Sequence, residues 1–140
     1  MAKLRLTFSL FALAAVASLA LSCGASPPRT LQSVTLSPAT ADSQDYPDGQ
    51  VQFTVSGHYN TAPETVTPQA ATWGVCYQNA STNEISVTTS GMAQCASGAA
   101  GTYTVWANDP IQTPGTYSCP AQTACGGGCT LQANAQLICH

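Results

Sequence analysis

Hydrophobic residues follow two patterns in this chain, and the change between them divides it. From Leu6 to Leu21 they form one uncharged run of Leu, Ala, Phe and Val, preceded by Lys3 and Arg5. A short cationic start followed by an apolar stretch too short for a stable membrane span is the pattern of an export signal. After residue 30 the apolar positions come in short alternating runs instead. Leu31–Leu36 sets Val34 and Leu36 against Thr35, and Val51–Ser56 sets Val51, Phe53 and Val55 against Gln52, Thr54 and Ser56. Ala71–Tyr77 places Trp73, Val75 and Tyr77 on one face and Cys76 on the other. Ile85, Val87 and Thr89 mark a further run. In Thr102–Ala107, Tyr103, Val105 and Ala107 face in and Trp106 faces out, and Leu131–Cys139 closes the series. A period of two over four to eight residues predicts strands with one buried and one wet face.

Turn chemistry separates these runs. Ser37-Pro38-Ala39-Thr40 ends the first, and residues 42–49 (DSQDYPDG) form a turn cluster. Residues 58–69 read as a Pro-containing connection, 78–83 as a polar loop, and 109–130 as a long segment holding Pro114, Pro120 and three cysteines. No stretch beyond the apolar leader has a helical period. About seven short strands predict an all-β fold, an antiparallel β-sandwich.

Composition narrows what such a domain contacts. Lys3 and Arg5 depart with the leader, leaving Arg29 as the one cation against Asp42, Asp45, Asp48, Glu64, Glu84 and Asp109. A chain with this balance cannot neutralise a run of phosphates, which excludes nucleic acid as the expected partner. Electrostatic docking on anionic lipid is excluded in the same way. The six cysteines beyond Cys23 read as cross-links formed in an oxidising compartment of an exported chain.

The end of the leader, Leu19-Ala20-Leu21-Ser22-Cys23-Gly24, resembles the lipobox of bacterial lipoproteins. There a cysteine after a small residue becomes the lipid-modified first residue of the mature chain. That resemblance implies a signal peptide over residues 1–22, acylation of Cys23, and a tether over 23–30 stiffened by Pro27-Pro28. Ala20-Leu21-Ser22 also fits ordinary signal-peptidase cleavage, which would leave Cys23 a free or unpaired thiol. The odd count favours acylation, because removing Cys23 leaves six cysteines for disulfides: Cys76, Cys95, Cys119, Cys125, Cys129 and Cys139. Two or more acyl chains hold a protein firmly to a bilayer, so lipid would be its membrane partner. In a Gram-negative host, Gly24 rather than Asp after the cysteine would favour the outer membrane.

Residues 31–140 form one domain. Its segments SVTLSPATA (33–41), DGQVQFTV (48–55), ATW (71–73) and ISVTTSGMAQCASGAAGTYTVWA (85–107) resemble bacterial immunoglobulin-like domains of the group 2 type. The resemblance implies an immunoglobulin-like sandwich in which 109–130 is a cysteine-rich insertion before the last strand. Gly101-Thr102-Tyr103-Thr104-Val105 also looks like a tyrosine corner, with Val105 where antibody domains place a core cysteine. Six cysteines allow 15 pairings. The immunoglobulin-like layout implies Cys76 with Cys95, both approaching one end of the sandwich.

Candidate chemistry is sparse. Cys119, Cys125, Cys129 and Cys139, with His140, lack the tight pair that zinc ribbons use, so structural cross-links are expected rather than a metal or other cofactor. Asp42, Asp45 and Asp48 miss the spacing of a calcium loop. No GxSxG elbow is present. The sequence therefore predicts a non-catalytic module of the cell envelope, structural, adhesive or contacting an envelope protein. The alternative is a carbohydrate-binding module whose glycan ligand stacks on exposed Trp106, Tyr46, Tyr59 and Tyr117.

Overall fold

A computed structural model describes residues 26–109, 125 and 131–140. The leader, Cys23, and Tyr117, Cys119 and Cys129 of the insertion lie outside the described residues. What is described is all-β. Its strands are β1 (Leu31–Ser37), β2 (Thr40–Asp42), β3 (Gln50–Gln52), β4 (Thr54–Tyr59), β5 (Thr65–Val66), β6 (Thr72–Tyr77), β7 (Ala80–Ser81), β8 (Ile85–Val87), β9 (Met92–Cys95), β10 (Gly101–Asn108) and β11 (Gln132–Cys139).

The strands hydrogen-bond in the orders β1-β4-β5, β3-β9-β8 and β2-β11-β10-β6-β7. Every pairing is antiparallel except β2 with β11, which is parallel. The alternation read from the sequence has a direct counterpart in burial. Val51, Phe53 and Val55 are buried, and so are Tyr103, Val105 and Ala107. One cluster joins Val51, Phe53, Ile85 and Ala93 to Ala41, Tyr103, Val105, Ala135, Leu137 and Cys139. A second joins Val34 and Val55 to Ala107 and Ala133. The inner faces of β1, β3, β4, β8 and β9 thus meet those of the five-stranded sheet, and burying these apolar faces is the main force holding the layers together.

The expected strand at Val51–Ser56 is longer and is interrupted. At Phe53 the backbone N–H turns from the ladder and donates to the carbonyl of Gly91 at 2.9 Å. Before that point the strand pairs with β9; after it, with β1 and β5. Gly91 suits this crossing for two reasons. Its φ is +84°, and a Cβ there would lie 2.5 Å from the Phe53 carbonyl and 2.6 Å from the Trp73 ring.

Two stretches assigned to connections are partly strand. His58 and Tyr59 extend β4, and Thr65–Val66 return beside it as β5. Thr40–Asp42 do follow a break at Ser37-Pro38, but they pair with β11, so the chain changes sheets there. Local polar residues between these strands carry no periodicity, which is why the pattern missed them. The turn cluster at 42–49 forms two 3-10 turns, Ser43–Asp45 and Pro47–Gly49, with Asp48 at φ 55° and Gly49 at φ 65°.

Candidate functional site

The cysteines are joined differently from the pairing that the immunoglobulin-like layout implied. Cys76 is bonded to Cys125 and Cys95 to Cys139, which replaces the expected Cys76–Cys95 bond. The reason is the side each thiol faces. Cys95 ends β9 and Cys139 ends β11; Cys139 is part of the main core and Cys95 packs against it, so their bond ties the two layers together. Cys76 alternates with the inward Val75 and Tyr77 and points to the outer face of the five-stranded sheet. There it is buried with Trp106 and Cys125.

Trp106 belongs to this outer cluster, and the expectation that it is exposed is overturned: it is only 4% exposed. It does face away from the main core, as the alternation required. Its ring lies against Gly74, where a Cβ would come within 2.1 Å of Cζ2, so the cross-strand neighbour must be glycine for the indole to lie flat. Its Nε1 is buried with no hydrogen-bond partner among the described residues. The other expected platform residues do not join it in one exposed surface. Tyr46 packs on the main core, and Tyr59 carries the Arg29 guanidinium 3.7 Å above its ring centroid. Tyr117 lies outside the described residues.

A second constellation lies where β10 and β11 meet the turns. The Tyr103 hydroxyl donates to Glu84 Oε2 at 2.7 Å and sits 3.4 Å from the Ala100 carbonyl. With a single proton to give, it favours the carboxylate, since a charged acceptor makes the stronger bond. That bond first, and burial second, push the phenol up to about 12. Its ring packs on Tyr77, centroids 4.9 Å apart. Nearby, Asp42 accepts from the Gln44 backbone N–H at 3.0 Å and faces His140 Nε2 at 3.0 Å. The Gln44 bond foremost, and His140 next, hold this carboxyl below its ordinary value.

A third constellation was not read from the sequence. Arg29 Nη2 donates to the Pro63 carbonyl at 2.7 Å while its guanidinium covers Tyr59. Asn60 Oδ1 accepts from the Thr30 N–H at 2.7 Å, Asn60 Nδ2 donates to the Pro28 carbonyl at 3.2 Å, and the Asn60 N–H donates to the Thr30 carbonyl at 3.1 Å. The segment expected to be a plain tether is therefore clamped to the β4–β5 hairpin. Its one sequence signal was Arg29, the only Lys or Arg after residue 5, directly after Pro27-Pro28.

A cleft of about 650 Å³ opens where the β3–β4 strand changes partners, lined by Phe53, Val55 and Trp73 together with Gln52, Gln69 and Ser90. Gln52 Nε2 bridges the Phe53 and Ser90 carbonyls, 2.7 Å from each, and Gln69 Oε1 accepts from the Tyr59 hydroxyl at 2.8 Å. Among the described residues no group of three or more His, Cys, Asp or Glu is placed to hold a metal ion. His58 Nε2 and Nδ1 lie 3.3 and 3.4 Å from the hydroxyls of Thr35 and Thr65, whereas His140 faces a carboxylate. The sequence matches no protein-family model and no curated protein.

Proposed function

We propose that this chain is a lipid-anchored, immunoglobulin-like module of a bacterial cell envelope, non-catalytic, acting in structure, adhesion or contact with an envelope protein. The observation that carries the fold is the strand order. Strands β3 and β4 are separated by Phe53 alone, so β1, β3/β4, β9 and β8 run side by side and face β2-β11-β10-β6-β7. An immunoglobulin-type sandwich pairs its strands in that sequence, with the first strand split between the two sheets. Tyr103, near the start of β10 and reaching back towards Ala100, suits the corner tyrosine of such domains. The group 2 resemblance points the same way.

Export is supported by the leader and by the two cross-links, which belong to an oxidising compartment. Anchoring is supported by the lipobox-like ending and by the cysteine count. Sugar stacking on the predicted aromatics is disfavoured by the burial of Trp106 and by the Arg29 cover on Tyr59. Fractionation of cells making the full chain and its Cys23→Ser variant tests the anchor. The native protein stays with membranes and the variant is released; a variant that remains membrane-bound overturns it.

A further inference from the structure

We propose that the clamp on the tether fixes which end of the domain faces the bilayer: the Tyr59–Thr65 end lies against the lipid headgroups and the Cys95–Cys139 end points away. This rests on the reading that Cys23 is acylated. The strand registers define the two ends. Leu31 pairs with Tyr59, Asn108 lies opposite both Thr72 and Gln132, and Leu31 packs on the cluster of Val34, Val55, Ala107 and Ala133 that joins the layers, so these residues share one end. Gly101 pairs with Cys139 and Ile138 with Asp42, which places them at the other.

Chain length sets the distance to the lipid. Pro28 is the first residue that the clamp holds, only five positions after Cys23. Five extended residues reach at most about 17 Å. The eight-residue β10 and β11 each span about 27 Å. The clamped end is therefore kept within about 17 Å of the lipid, while the opposite end can stand about 27 Å further out. Were the clamp absent, the free tether would run to Leu31, eight residues after the cysteine, with a reach of about 28 Å. The near end could then drift about 11 Å further from the lipid and be held there less closely.

Charge placement agrees with the upright pose. Asp42 caps and Asp45 and Asp48 lie within the two 3-10 turns at the far end, and Glu84 bonds Tyr103 there. Arg29, the one cation after the leader, sits at the near end with Glu64 and Asp109, so that end carries one net negative charge against four carboxylates at the other. An anionic surface repels the four carboxylates, and the upright pose holds them more than a Debye length, about 8 Å, from it. The near end also presents the uncharged Asn60, Thr61 and Ala62 to the headgroups, beside the exposed Glu64.

The test uses the acylated full chain in vesicles of phosphatidylethanolamine and phosphatidylglycerol carrying a headgroup-labelled acceptor lipid. A fluorescent non-natural side chain is placed at Glu64 or at Ser97, both exposed, leaving every cysteine in place. Energy transfer from position 64 is expected to exceed that from position 97 by roughly threefold or more, given separations of about 17 and 44 Å. In the Arg29→Ala/Asn60→Ala variant the two values converge. Equal or reversed transfer in vesicle-bound native protein overturns the fixed orientation and leaves the anchor standing. Failure of the native protein to stay on vesicles, or equal binding by Cys23→Ser, overturns the anchor and the orientation with it.

Discussion

Removing the Cys95–Cys139 bond tests the idea that the two layers are stapled at the end remote from the tether. The double substitution Cys95→Ala/Cys139→Ala opens a loop whose ends are 44 residues apart. Loop-closure entropy for that length is worth about 4 kcal/mol at 25 °C. Whole domains have only about 5–15 kcal/mol of stability, so the loss is a large share. At about 4 °C per kcal/mol for a domain of this size, the unfolding midpoint should fall by about 15 °C. The protein should nevertheless remain folded, because Val51, Phe53, Val105 and Leu137 stay fully buried without the bond. Far-UV circular dichroism against temperature, with urea titration at fixed temperature, measures the change. A drop of less than about 4 °C with an unchanged urea slope would refute the staple as a stability element.

Three further outcomes follow from individual contacts. Gly74→Ala puts a Cβ into the Trp106 ring, so stability should fall by about 1–3 kcal/mol with a red shift in indole emission; native-like emission would contradict the packing of Trp106 on Gly74. The raised Tyr103 phenol favours the neutral form in the folded state. Its stabilisation is therefore complete below the ordinary tyrosine value near pH 10 and is lost as pH rises through about 12. A phenolate absorbance step near pH 12 should vanish in Tyr103→Phe, and its persistence would reject the assignment. Asp42 has the opposite sign: its lowered carboxyl stabilises the fold above the unfolded value of 3.8, and that support is lost as pH falls through the folded value. Asp42→Asn should flatten the acid limb of the stability curve, and an unchanged limb would remove Asp42 from that role.

Much of the scaffold was legible because burial imposes a period of two on strands whose one face is wet. That is why Val51, Phe53, Val55, Tyr103, Val105 and Ala107 could be assigned to the core from spacing alone. The same alternation turned Cys76 and Trp106 outward correctly but could not show that an outward face is covered. Exposure was wrongly inferred for Trp106 because a strand pattern reports direction and not what packs on top. The cysteine pairing failed for a related reason. The immunoglobulin-like layout implied that Cys76 and Cys95 approach one end, yet pairing depends on which side of each sheet the thiols face. The clamp of Arg29 and Asn60 had no periodic signature at all. It joins residues about thirty positions apart through single polar contacts, which local patterning does not encode.

The intact mass of the protein extracted from membranes, alkylated with and without prior reduction, bears most directly on an anchored and cross-linked domain. The account predicts a chain beginning at Cys23 with added acyl mass, and six thiols that react only after reduction. An unacylated chain whose cysteines react without reduction would contradict both the anchor and the staples.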